Sequence, residues 1–145
     1  MSISISLVTQ TNFGPWNIPA RGQNFINTHY GKNNSIEITN VVSEGIMFDN
    51  FKILENFIKD NNDKKIIIIF CSLMQLSNIN ENIKEEFIKF FSNYEIHFAL
   101  ELTKGKGKEY LTKIINEAKT FSKYPKIKYD FKNYTEFFKK YKPIF

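Results

Sequence analysis

Five consecutive residues, Ile66, Ile67, Ile68, Ile69 and Phe70, limit what this chain can fold into more than any other stretch. β-Branched and aromatic side chains suit a pleated backbone and lose rotamer freedom in a helix. The run has no polar position, so both of its faces must be covered. It therefore reads as an interior strand of a parallel sheet with helices on both sides. It is far too short to cross a membrane.

The rest of the chain supplies the neighbours that such a strand needs. Ser2, Ser4 and Ser6 alternate with Ile3, Ile5 and Leu7, which is a period-two strand. Its serine face is too polar for ordinary double-sided burial and predicts close packing of a helix there. A first helix is expected near Pro19, with Asn17 as N-cap, an apolar stripe of Phe25, Ile26 and Tyr30, and Gly31 as its break. Residues 36–42 read as a second strand and residues 48–59 as a second helix, with Phe51, Leu54 and Ile58 on one face. Asn78, with Glu81 three residues later, has the pattern of a capping box and opens a third helix through Ile79, Ile83, Phe87 and Phe91. Residues 94–100 give a fourth strand. Gly105 and Gly107 then precede a fourth helix marked by Tyr110, Ile114 and Ala118.

Finally Ile127, Tyr129 and Phe131 alternate with Lys126, Lys128 and Asp130, a fifth strand whose lysines suit a protected edge. A last helix is expected over residues 134–141. Strand and helix alternate at the spacing of βαβ units. The expected architecture is α/β: a three-layer sandwich with a mostly parallel five-stranded sheet in the order 2-1-3-4-5, of flavodoxin or resolvase type. Residues 1–145 are read as one domain.

The start of the chain lacks a basic segment and a cleavage pattern, so no signal peptide is expected. The single Cys71 can form no internal disulfide, which fits a cytoplasmic location. The formal charge is +5, and residues 101–145 hold 12 lysines against 5 acidic residues. That end is either a solvated lysine face or a surface for an anionic partner such as nucleic acid.

In such sheets ligands bind beyond the carboxyl ends of the strands, where strand order reverses. The walls of that crevice are residues 9–24, the segment from Cys71 to Gln75, Ser43-Glu44-Gly45 and Glu101-Leu102-Thr103. Residues 9–24 hold the chain's single Trp16 and single Arg21, too polar and aromatic a loop to be a mere connection. Arg21, Gln23 and Asn24 on the first helical turn could hold a carboxylate or phosphate, and Trp16 could stack on a sugar or base or cap the core. Glu44 is either a general base or a solvated loop acid, and Glu101 either its partner acid or a surface carboxylate. His97 shares a strand face with Ala99 and Glu101 and is either catalytic or a satisfied core histidine. Thr9, Asn12 and Ser72 would orient substrate hydroxyls. Cys71, after an apolar strand, reads as a small buried hydrophobe, and His29 as a surface or packing residue.

Two histidines and one cysteine are too few for a closed zinc site, and no metal is expected. Gly105-Lys106-Gly107-Lys108 lacks the spacing of a phosphate loop or a dinucleotide fingerprint, so no nucleotide cofactor is expected either.

Taken together, Gly14, Ile18-Pro19, Gln23-Asn24, Tyr30, Glu44, Ser72-Leu73 and the run from His97 to Glu101 resemble a small family encoded sporadically in bacterial surface-carbohydrate gene clusters. The resemblance spans roughly the first two thirds of the chain. It implies a setting in capsule, lipopolysaccharide or related glycan synthesis. The N-terminal layout is also similar to the catalytic domain of serine recombinases, with Thr9 where the nucleophilic serine would stand and Gln23 matching. The arginine positions of that family read here as Ser72 and Gln75, so the resemblance implies its fold without its activity.

The expected function is a cofactor-independent isomerase, epimerase or lyase acting on a sugar or sugar nucleotide. Glu44, Glu101 and His97 are its candidate proton-transfer groups. The alternatives are a non-catalytic subunit of a carbohydrate enzyme and a nucleic-acid-binding protein. A homodimer through the aromatic last helix is expected in either case.

Overall fold

The computed structural model of the chain describes residues 2–10, 13, 17–45 and 51–123. The expected edge strand at 127–131 and the expected last helix lie outside them, as do Asn12 and Trp16. Within them the elements run β1 (Ser2–Thr9), α1 (Ala20–Asn33), β2 (Asn40–Glu44), α2 (Lys52–Lys59), β3 (Lys65–Phe70), a 3-10 turn (Leu73–Leu76), α3 (Glu81–Phe91), β4 (Glu95–Phe98), β5 (Thr103–Gly105) and α4 (Lys108–Lys123).

The sheet order is β2-β1-β3-β4-β5. The first four strands are mutually parallel, and β3 lies between β1 and β4 as its isoleucine run demands. The fifth strand is Thr103–Gly105, which turns back antiparallel onto β4. Three residues cannot show an alternation, so this strand is defined by its partner and not by its own pattern.

The two faces of the sheet differ in character. On one, Ile5, Leu7, Ile68, Phe70, Ile96 and Phe98 meet α2, α3 and α4 in a large apolar core. On the other, α1 packs against a smaller cluster that includes Tyr30, Ile69 and Ala99. The serines of β1 face α1: Ser6 is fully buried and its Oγ accepts from Asn27 Nδ2 at 3.0 Å. Asn27 Nδ2 also reaches the carbonyls of Leu7 and Ile69. The polar face of β1 thus meets a polar helix face, and the hydrogen bonds between them offset the burial.

Several boundaries differ from the sequence reading. The N-cap of α1 is Pro19, with no side-chain cap; Asn17 lies two residues upstream of it. Gly31 does not stop the helix, which runs on to Asn33. Its lack of a side chain lets the following segment fold back, since a Cβ there would stand 2.6 Å from the Ile36 carbonyl oxygen. Residues 36–39 are not yet strand; Ile36 and Ile38 pack beside Tyr30, and β2 starts at Asn40. For α2, the described helix begins at Lys52, with Phe51 as N-cap. For α3, Asn80 and not Asn78 is the cap, accepting from the Asn82 N–H. Strand β4 ends at Phe98, and the chain turns through Ala99–Leu102.

Candidate functional site

At the carboxyl ends of β1 and β3 the sheet opens, because the β1–β3 ladder stops at the Leu7–Phe70 pair. Beyond it the Gln10 N–H still donates to the Glu44 carbonyl on the β2 side. The peptide groups of Thr9 therefore face the opening. Gln23 fills it. Its Oε1 accepts from the Thr9 N–H and its Nε2 donates to the Thr9 carbonyl, both at 2.8 Å, and Nε2 donates also to the Ile18 carbonyl. The Gln23 amide takes the place of a strand that has left.

A second glutamine continues the network. Gln75 Nε2 donates to Thr9 Oγ1 at 3.3 Å, while Gln75 Oε1 accepts from the Ser72 N–H at 3.0 Å. Ser72 Oγ accepts from the Met74 N–H, which completes a capping box on the 3-10 turn. The same hydroxyl donates to Glu101 Oε2 at 3.1 Å, and Glu101 Oε1 accepts from the Leu73 N–H. Gln23, Thr9, Gln75, Ser72 and Glu101 thus form one hydrogen-bonded chain across the ends of β1, β3 and β4. All but Glu101 are buried.

Glu101 owes its position to the turn after β4. The Ala99 and Leu100 N–H groups extend the ladder to the Phe70 and Cys71 carbonyls, and the Leu102 N–H then closes onto the Ala99 carbonyl. Leu102 takes a φ of 54°, a left-handed conformation that costs a branched side chain about 1–2 kcal/mol. Leu102 is also 80% exposed, so packing does not compensate this strain directly. What the turn achieves is to fold Glu101 back over Ser72. The residue as a whole stays open to solvent while its carboxylate end packs against the chain. Desolvation there raises its pKa above the ordinary carboxylate value, against the lowering effect of its bonds to Leu73 and Ser72.

Arg21 is exposed on the first turn of α1 and makes no ion pair among the described residues. The helix has no side-chain cap and no acidic residue in that turn, so among the described residues nothing acidic in that turn compensates its positive end. Asn24, one residue after Gln23, is half-buried, and its Oδ1 has no partner among the described residues.

Glu44 and His97 do not join the network. Glu44 is buried at the end of β2, and its Oε1 accepts from the Leu54 N–H at 2.7 Å. Leu54 is the third residue of α2, so Glu44 satisfies the helix start in place of its N-cap, Phe51. Burial raises its pKa, partly offset by the Leu54 and Ile53 N–H groups. The Glu101 carboxylate lies instead over Ser72, beyond the end of β3, and shares no hydrogen-bond partner with Glu44 among the described residues.

His97 lies on the other face of the sheet, against α1, and is 1% exposed. Its Nδ1 is 2.8 Å from the Tyr30 hydroxyl and its Nε2 is 3.0 Å from Glu95 Oε1. Desolvation lowers its pKa, against the raising effect of Glu95. A neutral ring satisfies both contacts when Nε2–H donates to Glu95 and the Tyr30 hydroxyl donates to Nδ1. Ala99 shares this face, whereas Glu101 lies beyond the strand, in the turn that follows it.

Cys71 is fully buried, and burial with the nearby Glu101 charge pushes its thiol up to about 12, so it is inert. His29 is exposed and stacks on Phe25. Gln75, expected only as part of the crevice wall, is the further partner in the network, and the Ser72-x-x-Gln75 capping pattern marks it. Among the described residues no group of three or more His, Cys, Asp or Glu could hold a metal ion, and no helix is long and apolar enough to cross a membrane. No model of a known protein family, no curated protein and no solved structure matches the chain significantly.

Proposed function

We propose that the rim between β1 and β3 is the active site of an isomerase, epimerase or lyase that moves a proton on an anionic sugar or sugar nucleotide in surface-glycan synthesis. The observation that carries this reading is Glu101, an exposed residue whose carboxylate, held by Ser72 and Leu73, has a raised pKa at the end of the Gln23–Thr9–Gln75–Ser72 chain. A carboxyl group tuned upward is better matched to proton transfer near neutral pH. Glu101 takes a proton from a carbon of the sugar and delivers it to the neighbouring carbon, or to a leaving group that departs from that neighbour. Ser72 and the Leu73 N–H fix the carboxylate, and Thr9, Gln23 and Gln75 hold the rim rigid.

Arg21 and the open first turn of α1 supply the anion contact, by guanidinium and helix-end N–H groups. The substrate class follows from the motif resemblance to proteins of surface-carbohydrate clusters. Glu44 takes no part in this mechanism because its carboxylate is committed to the start of α2.

A thermal-shift screen of uronic acids and sugar nucleotides tests the reading. A ligand at 100 times its Kd stabilises by about 2.7 kcal/mol, and Arg21→Ala removes that stabilisation. A ligand whose effect survives Arg21→Ala undiminished would overturn the assignment.

A further inference from the structure

The opposite end of the sheet carries a second feature that the proposed function does not use. An open concavity of about 620 Å³ lies at the amino ends of β3 and β4, lined by Lys64, Lys65, Tyr94, Glu95, Lys104 and Lys106 among others. It lies beyond the far end of β3 from Ser72, and β3 alone spans about 17 Å. Its volume is in the range of small-molecule sites.

Four lysines from two separate segments line it, against the one carboxylate of Glu95. Lys65, Lys104 and Lys106 make no ion pair among the described residues, and Lys64 has only the amide oxygen of Asn61 at 3.4 Å. Glu95 is itself engaged by His97 at 3.0 Å. Like charges gathered in a concave wall repel one another and focus a positive field into the opening.

We propose that this concavity is a second binding site, for a compact multiply charged anion carrying two or more phosphate groups. The lining contains lysine and no arginine. Lysine acts as a point charge suited to phosphate oxygens from many directions, whereas a planar carboxylate is best held by a guanidinium fork. Glu95 in the wall opposes a continuous phosphate track, which favours a small ligand over a long nucleic acid. Tyr94 also lines the concavity, with its ring packed against Phe90.

Calorimetric titration of the full chain with inorganic pyrophosphate, at low salt, tests this. The expected result is saturable one-to-one binding that weakens about tenfold or more in Lys65→Gln/Lys104→Gln and severalfold in Lys106→Gln, all at exposed positions. The lysine variants should weaken binding by the same factor in an Arg21→Ala background, which separates this site from the one at the start of α1. Absence of pyrophosphate binding, binding undiminished in the lysine variants, or binding lost in Arg21→Ala would each overturn the proposal. So would a DNA oligonucleotide that displaces pyrophosphate with an affinity that grows with its length, because the lysines would then form an extended track.

Discussion

Gln23 closes two 2.8 Å hydrogen bonds onto the peptide of Thr9 and so replaces the neighbour strand that β1 loses beyond Leu7. Gln23→Ala would leave the buried N–H and carbonyl of Thr9 and the carbonyl of Ile18 without that partner. Each unsatisfied buried group costs about 1–3 kcal/mol, with some relief from water in the enlarged space. Urea denaturation should show a loss of about 2–4 kcal/mol. Gln23→Glu should fare no better, because it places a carboxylate oxygen against the Thr9 carbonyl. A loss below about 0.5 kcal/mol in both variants would mean that the amide is not sealing the sheet.

Glu44 gives opposite outcomes for two substitutions. Glu44→Ala leaves the Leu54 N–H buried without its acceptor and should destabilise by about 1–3 kcal/mol. Glu44→Gln keeps an oxygen for that N–H and removes a carboxylate whose pKa is raised in the fold. A raised folded value means that the acid contributes stability below the unfolded pKa and loses it as pH rises through the folded pKa. The Gln variant should therefore match or exceed the native chain in stability at pH 7, with any advantage shrinking towards pH 4.5 and below. Denaturation midpoints across pH would show this, and a large loss in Glu44→Gln at pH 7 would contradict it.

The buried His97 sets the acid side of the stability profile. Its folded pKa is lowered, so the unfolded chain takes up a proton first as pH falls, and stability declines below about pH 6.5. His97→Gln should flatten the profile between pH 7 and pH 5, at some cost at pH 7 from imperfect contacts with Tyr30 and Glu95. An unchanged slope in that variant would assign the decline to another group.

At Gly31 a Cβ would meet the Ile36 carbonyl oxygen at 2.6 Å, a backbone atom that cannot swing aside. Gly31→Ala should lower stability by about 1–3 kcal/mol despite alanine's better helix propensity. A gain in thermal midpoint would show that residues 34–39 shift easily.

What the sequence disclosed about this molecule depended on how local each signal was. The isoleucines of β3 and the serine alternation of β1 carry their own patterns, and from them the sheet order could be reasoned. Strand β5 carries none, being three residues given strand form by β4. Thr9, Gln23, Ser72 and Glu101 could be placed on one rim because topology puts strand ends together. The cap that Glu44 provides, ten residues away from Leu54, and the Tyr30–His97 bond, across 67 residues, are products of tertiary packing. Composition marks Glu44 and His97 only as titratable groups, which is why they read as candidates for chemistry. Their partners assign them to structure.

If Glu101 exchanges a proton with a sugar carbon, deuterium reports it directly. Uronic acids and sugar nucleotides incubated with the protein in D₂O should gain deuterium at one carbon, followed by NMR. In Glu101→Gln the rate should fall by about 10²–10⁴ while the thermal midpoint stays close to that of the native chain. Exchange undiminished in Glu101→Gln, or no exchange with any of these sugars by the native chain, would contradict the account.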